Sequence, residues 1–182
     1  MKPQQSWILK DDNPLLKKHT ELLTFPINKH DQELIDHMVE YVDTCYEGKA
    51  KEYDIRSGIA LAGPQVGLMK KVIYIHFNVG KQEYKYLIAN PKIVAESMVF
   101  AFIKAGEGCL SVEKDVEGII KRRNKIIVNA IDVNTNKPIV ISADGILAIC
   151  LQHEIDHLSG VLYYDHINKK QPLGVDPNWI EY

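Results

Sequence analysis

The sequence predicts an α+β domain of antiparallel strands packed around one central, buried helix. Two observations carry this. Between Val72 and Ser142 the apolar residues fall in short β-branched runs separated by turn residues, so the strands gather together. Helical periodicity is confined to residues 31–45 and 146–158, and the second stretch is apolar on two sides. With no repeat, low-complexity tract or linker in its 182 residues, the chain reads as one domain, residues 1–182.

Residues 1–30 read as an irregular arm, punctuated by Pro3, Pro14 and Pro26. From Asp31 to Cys45, Leu34, Ile35, Met38, Val39 and Val42 recur at helical spacing. Asn28 or Asp31 could cap that helix, and Gly48 follows it. His37 then reads as a surface histidine and Cys45 as a core thiol. After the Gly-rich stretch 58–67, residues 72–77 and 84–88 flank a turn at Gly80 as a hairpin would, with Asn90-Pro91 ending the second run. Residues 125–133 and 139–142 make another hairpin across 134–137.

The second helix can be capped by Ser142 or Asp144, and Gly160 stands where a left-handed residue would stop it. Ile146, Ile149, Cys150, His153 and His157 share one face, while Leu147, Leu151, Ile155 and Leu158 form another apolar stripe. A helix apolar on two sides packs between layers, so its histidines lie indoors.

Composition excludes several classes. A formal charge of -2 and a pI near 6.4 provide no field for nucleic acid or anionic lipid. The triplet Lys121-Arg122-Arg123 reads as a solvated edge. No apolar run approaches the roughly 18 residues of a membrane span, and no secretory h-region is visible at the N-terminus. The odd set Cys45, Cys109 and Cys150 fits a reducing cytoplasm.

His153, Glu154 and His157 spell His-Glu-x-x-His, which places two imidazoles one helical turn apart on a common ion. The extended peptidase form of that motif needs a third histidine where this chain has Tyr163. GEGCLS, residues 106–111, instead offers Cys109 in a glycine-bracketed loop; a thiolate and two imidazoles leave one coordination position for water. Cys150 is the competing thiol, but its helix position suits the wall of an apolar pocket.

GIALAGPQ (58–65), EGCLS (107–111) and QHEIDH (152–157) resemble, in order and approximate spacing, the three motifs of the peptide deformylases. NPLLKK (13–18) is similar to the family's entry segment, and the length before EGCLS resembles the longer, Gram-positive-type subclass. The resemblance implies removal of the N-formyl group from the formylmethionine of newly made polypeptides, releasing formate, in the cytoplasm. It implies one divalent ion on Cys109, His153 and His157, physiologically Fe(II), with Zn, Ni or Co accepted. Such an ion lowers the pKa of water, and Glu154 would take that proton and return it to the departing amine.

By the same resemblance the oxyanion donors are the Gln65 amide and the Leu110 N–H. Ile146, Ile149 and Cys150 lead along the helix towards the metal and, with Ile59, would line the methionine pocket, closed by the stem of Glu107. A peptide could add as a strand beside Ile59-Ala60 and the Gly108 edge. Two positions depart from the family, which usually has Gly at Ala60 and Ala at Gly63. The expectation is altered peptide affinity, from an added methyl and a loosened turn. Pro172, Gly174 and Pro177 argue against a long basic C-terminal helix as the means of touching the ribosome. The rival readings are a metal-dependent peptidase or other amidase, and a non-catalytic metal-binding relative.

Overall fold

The computed structural model describes residues 2–182. Two short 3-10 turns, Gln5–Trp7 and Pro14–Lys17, break the irregular arm. The Asn13 side chain caps the second by accepting from the Leu15 N–H at 3.0 Å, and Pro14 occupies the first helical position, where no donor is needed. Helix α1 spans Lys29–Tyr46. Of the two candidate caps Asn28 is the one used: its Oδ1 accepts from the Asp31 N–H at 2.9 Å. His37 is less exposed than the sequence suggests, because its ring stacks on Trp7 with centroids 4.0 Å apart.

Eight strands complete the described residues: β1 (Ala60–Ala62), β2 (Val72–Val79), β3 (Gln82–Glu96), β4 (Phe100–Phe102), β5 (Arg122–Arg123), β6 (Lys125–Asp132), β7 (Lys137–Asp144) and β8 (Ile180–Glu181). The larger sheet runs β1-β2-β3-β6-β7 and is antiparallel throughout. Both expected hairpins form, β2 with β3 and β6 with β7. Asn90-Pro91, however, does not end its strand. Asn90 takes φ 54 in a bulge, its side chain bonds the Leu23 N–H and carbonyl, and β3 continues to Glu96. A bulge is where a strand tolerates a residue with no N–H.

The smaller sheet runs β5-β4-β8, with β8 parallel to β4. The tail from Asn168 thus holds no helix and closes as a strand: the Tyr182 N–H donates to the Phe102 carbonyl at 3.0 Å.

Helix α2, Gly145–His157, is enclosed as its two apolar stripes require; only Ile146, Ile155 and Asp156 are not fully buried. β2 separates two core clusters by simple alternation. Val72 and Tyr74 meet Ile35, Met38 and Val42 of α1, whereas Ile73, Ile75 and Phe77 meet Leu147, Ala148 and Leu151 of α2. Neither Ser142 nor Asp144 caps α2 through its side chain. β7 runs straight into the helix, and the Gly145 N–H donates to the Asn124 carbonyl at 3.0 Å instead. At the other end the Leu158 carbonyl accepts from Thr20, through its N–H at 3.0 Å and its Oγ1 at 2.8 Å. Gly160 turns the chain at φ 73, and a Cβ there would lie 2.5 Å from the Lys17 carbonyl carbon, so only glycine lets the arm cross.

A polar clamp ties α1 to the sheet. Asp43 accepts from the Tyr74 hydroxyl and pairs with His76 Nδ1 at 2.6 Å. Burial pushes the Asp43 carboxyl pKa up, but the bonds from Tyr74 and His76 outweigh it and hold the group below its ordinary 3.8. A depressed folded pKa stabilises the fold above the unfolded value, and that contribution is lost as pH falls through 3.8 and below. Urea unfolding of wild type and Asp43→Asn from pH 6 to pH 3 checks this. Wild type is expected to lose more stability over that interval, and parallel losses would contradict the clamp.

Candidate metal centre and active site

The turn of helix between His153 and His157 sets their rings 5.1 Å apart, centroid to centroid. Gly106, at φ 79, turns the chain after β4 and starts the loop that carries Cys109. Cys109 Sγ lies 3.3 Å from His157 Nε2. One ligand atom from each of Cys109, His153 and His157 falls within 4.8 Å of the others, and all three residues are buried. Cys150 stands outside this cluster, buried in the pocket wall.

The donor set fits a single cation. Burial holds the His157 imidazole well below its usual pKa, so it stays neutral as a metal ligand must. Burial also opposes charge on His153, yet bonding to Cys109 and Glu107 raises its pKa to about 10, so a cation bound there would release a proton from that ring. A thiolate with two imidazoles suits several divalent ions, and softness alone does not select one.

Glu107 does more than the sequence suggests. Its side chain lines the pocket, but its carboxylate also accepts from His153 Nδ1 at 2.8 Å, which aims Nε2 of that ring at the cluster. Arg122 donates to both Glu107 oxygens, at 2.8 and 2.9 Å, and to Asp156 at 2.5 Å. Burial raises the Glu107 pKa, while Arg122 and His153 together bring it down to about 2. The reading of residues 121–123 as a solvated edge is therefore wrong for Arg122, which is 4% exposed. Ile120, Arg122 and Asn124 are buried, while Lys121 and Lys125 face out, a two-residue alternation that the polar side chains at 122 and 124 conceal in the sequence.

Glu154 is 5% exposed with an unpartnered Oε2, and burial pushes its pKa up to about 7. Gln65 is buried; its Oε1 accepts from the Ala62 N–H at 2.8 Å, leaving Nε2 directed to Ser111 Oγ at 3.2 Å and Cys109 Sγ at 3.5 Å. The Leu110 N–H has no acceptor among the described residues. A cavity of about 290 Å³ joins these groups to Ile59, Ala60, Gly108, Ile146, Ile149 and Cys150. β1, which contributes Ala60, is the outermost strand of its sheet and keeps one edge free. Tyr163 is buried beside the cluster, its ring stacked on His153 at 6.0 Å while its hydroxyl accepts from the Val116 N–H.

The two departures prove to be local. Ala60 lies in extended β1, paired with Ile75, so its methyl meets no left-handed backbone. Gly63 does not loosen its turn. A Cβ there would lie 2.6 Å from the Lys70 carbonyl oxygen and 2.7 Å from that of Leu68, so glycine admits a tighter one.

One helix and one cysteine loop thus bring together a donor set able to hold a single metal ion, the arrangement a metallohydrolase uses. The chain belongs to the polypeptide deformylase family, whose pattern it matches over residues 5–172. It is thus a hydrolase that removes the N-formyl group from newly made polypeptides. It is 47% identical to a peptide deformylase of Malacoplasma penetrans, over 98% of this chain and 96% of that one. Among solved structures, a probable peptide deformylase from Synechococcus phage S-SSM7 matches with TM-score 0.68 at 34% identity, over 87% of this chain and 97% of that one. The deformylase of Vibrio parahaemolyticus bacteriophage VP16T, solved with actinonin, matches with TM-score 0.66 at 35% identity, over 85% and 98%.

Arg122→Leu would leave Glu107 buried without its cation. The expected loss is about 3–5 kcal/mol of stability together with roughly 10–100-fold in metal affinity. Urea unfolding and competition with a chromophoric chelator measure the two, and a variant matching wild type in both would refute the role.

Proposed function

We propose that this chain, acting as one catalytic domain, deformylates nascent polypeptides through a division of labour centred on Glu154. The observation that carries the reading is a carboxylate buried beside three side chains able to ligate a metal, with one oxygen unpartnered, at an apolar cavity. Cys109, His153 and His157 would hold one divalent ion, taken to be Fe(II) on the strength of family membership. When bound, the ion supplies Lewis acidity towards water and the formyl carbonyl.

The remaining steps belong to the chain. Glu154 accepts a proton from the attacking water and returns it to the amine as the C–N bond breaks, giving formate and a free N-terminus. A pKa near 7 lets it do both near neutral pH. The Gln65 amide and the Leu110 N–H receive the negative charge that grows on the formyl oxygen. Ile59, Ile146, Ile149 and Cys150 receive the methionine side chain, and the stem of Glu107 closes that slot. The following residues pair with the free edge of β1 at Ala60 and with Gly108, backbone to backbone, so varied sequences are accepted. The site acts in the cytoplasm, and contact with the ribosome would use a surface other than a C-terminal helix.

Formate release from formyl-Met-Ala-Ser by anaerobically metal-loaded protein tests the assignment. Glu154→Gln is expected to lower kcat by about 10²–10⁴-fold while metal content stays that of wild type. Full activity in that variant would exclude the mechanism, and cleavage between Met and Ala would favour a peptidase. Chelation should abolish formate release, and Fe(II) returned without oxygen should restore more of it than Zn(II); the reverse order would overturn the choice of ion.

A further inference from the structure

Three consecutive residues of the arm make contacts that the chemistry above leaves unused. The Leu9 N–H donates to the Gln65 carbonyl at 2.8 Å, and the Asp11 N–H donates to the Ser111 carbonyl at 2.9 Å. Between them the half-buried Lys10 ammonium donates to the Leu110 carbonyl at 3.0 Å. Gln65 and Leu110 belong to different segments, one in the turn after β1 and the other in the cysteine loop. The side-chain links between those segments run through the Gln65 amide itself, towards Ser111 and Cys109. That amide has to turn to substrate during reaction, so it cannot also serve as the fixed brace.

We propose that Leu9–Asp11 is a strap setting the separation of the two oxyanion donors, with Lys10 as a positioning residue for deformylation. The inference rests on the reading of Gln65 and Leu110 as those donors. Donors stabilise developing charge only when held in place beforehand, and a misplacement of about 1 Å can cost 10²-fold. Lys10 contributes the strap's side-chain bond, a charge-assisted one to the carbonyl of the very residue whose N–H is the donor. Its neighbours use backbone N–H groups, which survive a change at position 10, so the arm stays docked when Lys10 is replaced. Lys10 does not line the cavity, so ground-state binding of the peptide is not its business.

The test compares wild type, Lys10→Met, Lys10→Arg, Gln65→Leu and the double variant Lys10→Met/Gln65→Leu, all as full-length metal-loaded protein on formyl-Met-Ala-Ser. Lys10→Met is expected to lower kcat about tenfold, short of the 10²–10³ typical of losing a donor, with KM within about twofold. Its Tm should stay within about 3 °C of wild type, and Lys10→Arg should recover most of the rate. In the Gln65→Leu background the same change should cost less than about threefold, because residues acting through one unit are not additive. Unchanged kcat in Lys10→Met would overturn the strap, as would a loss carried by KM, a Lys10→Arg no faster than Lys10→Met, or a full tenfold loss on top of Gln65→Leu. Wild-type kcat in Gln65→Leu would instead overturn the donor reading, and the strap with it. A slow Gln65→Leu beside a fast Lys10→Met overturns the strap alone.

Discussion

Everything near the reaction depends on one constraint: a helix enclosed by apolar side chains carries two imidazoles and a carboxylate. Buried polar groups destabilise a fold unless each finds a partner. α2 meets most of that demand. His157 faces Cys109, and His153 is tied through Glu107 to Arg122, which also engages Asp156. Asp156 in turn bonds His166 at the surface. On α2, Glu154 Oε2 and His157 Nδ1 are left without a hydrogen-bond partner. The compensation that stabilises the helix also orients His153 through Glu107, and the uncompensated atoms are one imidazole nitrogen of His157 and one oxygen of the carboxylate placed to move protons.

The parts of this arrangement that were legible in the sequence are those set by local period and donor chemistry. The stripe from Ile146 to His157 announced both the helix and the shared face of its histidines. The want of a third histidine at Tyr163 directed attention to the glycine-bracketed Cys109. Both hairpins were visible as β-branched runs around turn residues. What escaped depends on distant chain. β3 passes Pro91 because Asn90 is held by Leu23 of the arm, and no residue near Pro91 advertises that. β8 is a two-residue strand whose pairing with β4 brings together chain positions 79 apart. Arg122 was hidden by its basic neighbours, because the alternation of burial through 120–124 falls on polar side chains and leaves no apolar pattern.

The arm illustrates how an irregular segment can be ordered without regular structure. Thr20 satisfies the carbonyl of Leu158, the residue just past α2, Lys17 passes against Gly160, and Leu9–Asp11 meet the backbones of Gln65, Leu110 and Ser111. These contacts complete backbone hydrogen bonding that helices and sheets leave open. Gly63 belongs to the same logic: the carbonyls of Leu68 and Lys70 occupy the space a Cβ would need, so the turn presenting Gln65 packs against the segment leading into β2. A departure from the usual family residue is thus a tighter fit in this chain.

Every role assigned to the site depends on which atoms form the first coordination shell. X-ray absorption on the zinc-loaded protein, where bond lengths are most diagnostic, examines it directly. One sulfur at about 2.3 Å, two imidazole nitrogens at about 2.0–2.1 Å and one further light-atom ligand are predicted, with the sulfur lost in Cys109→Ser. A shell without sulfur in the wild type, or one that keeps its sulfur in Cys109→Ser, would contradict it.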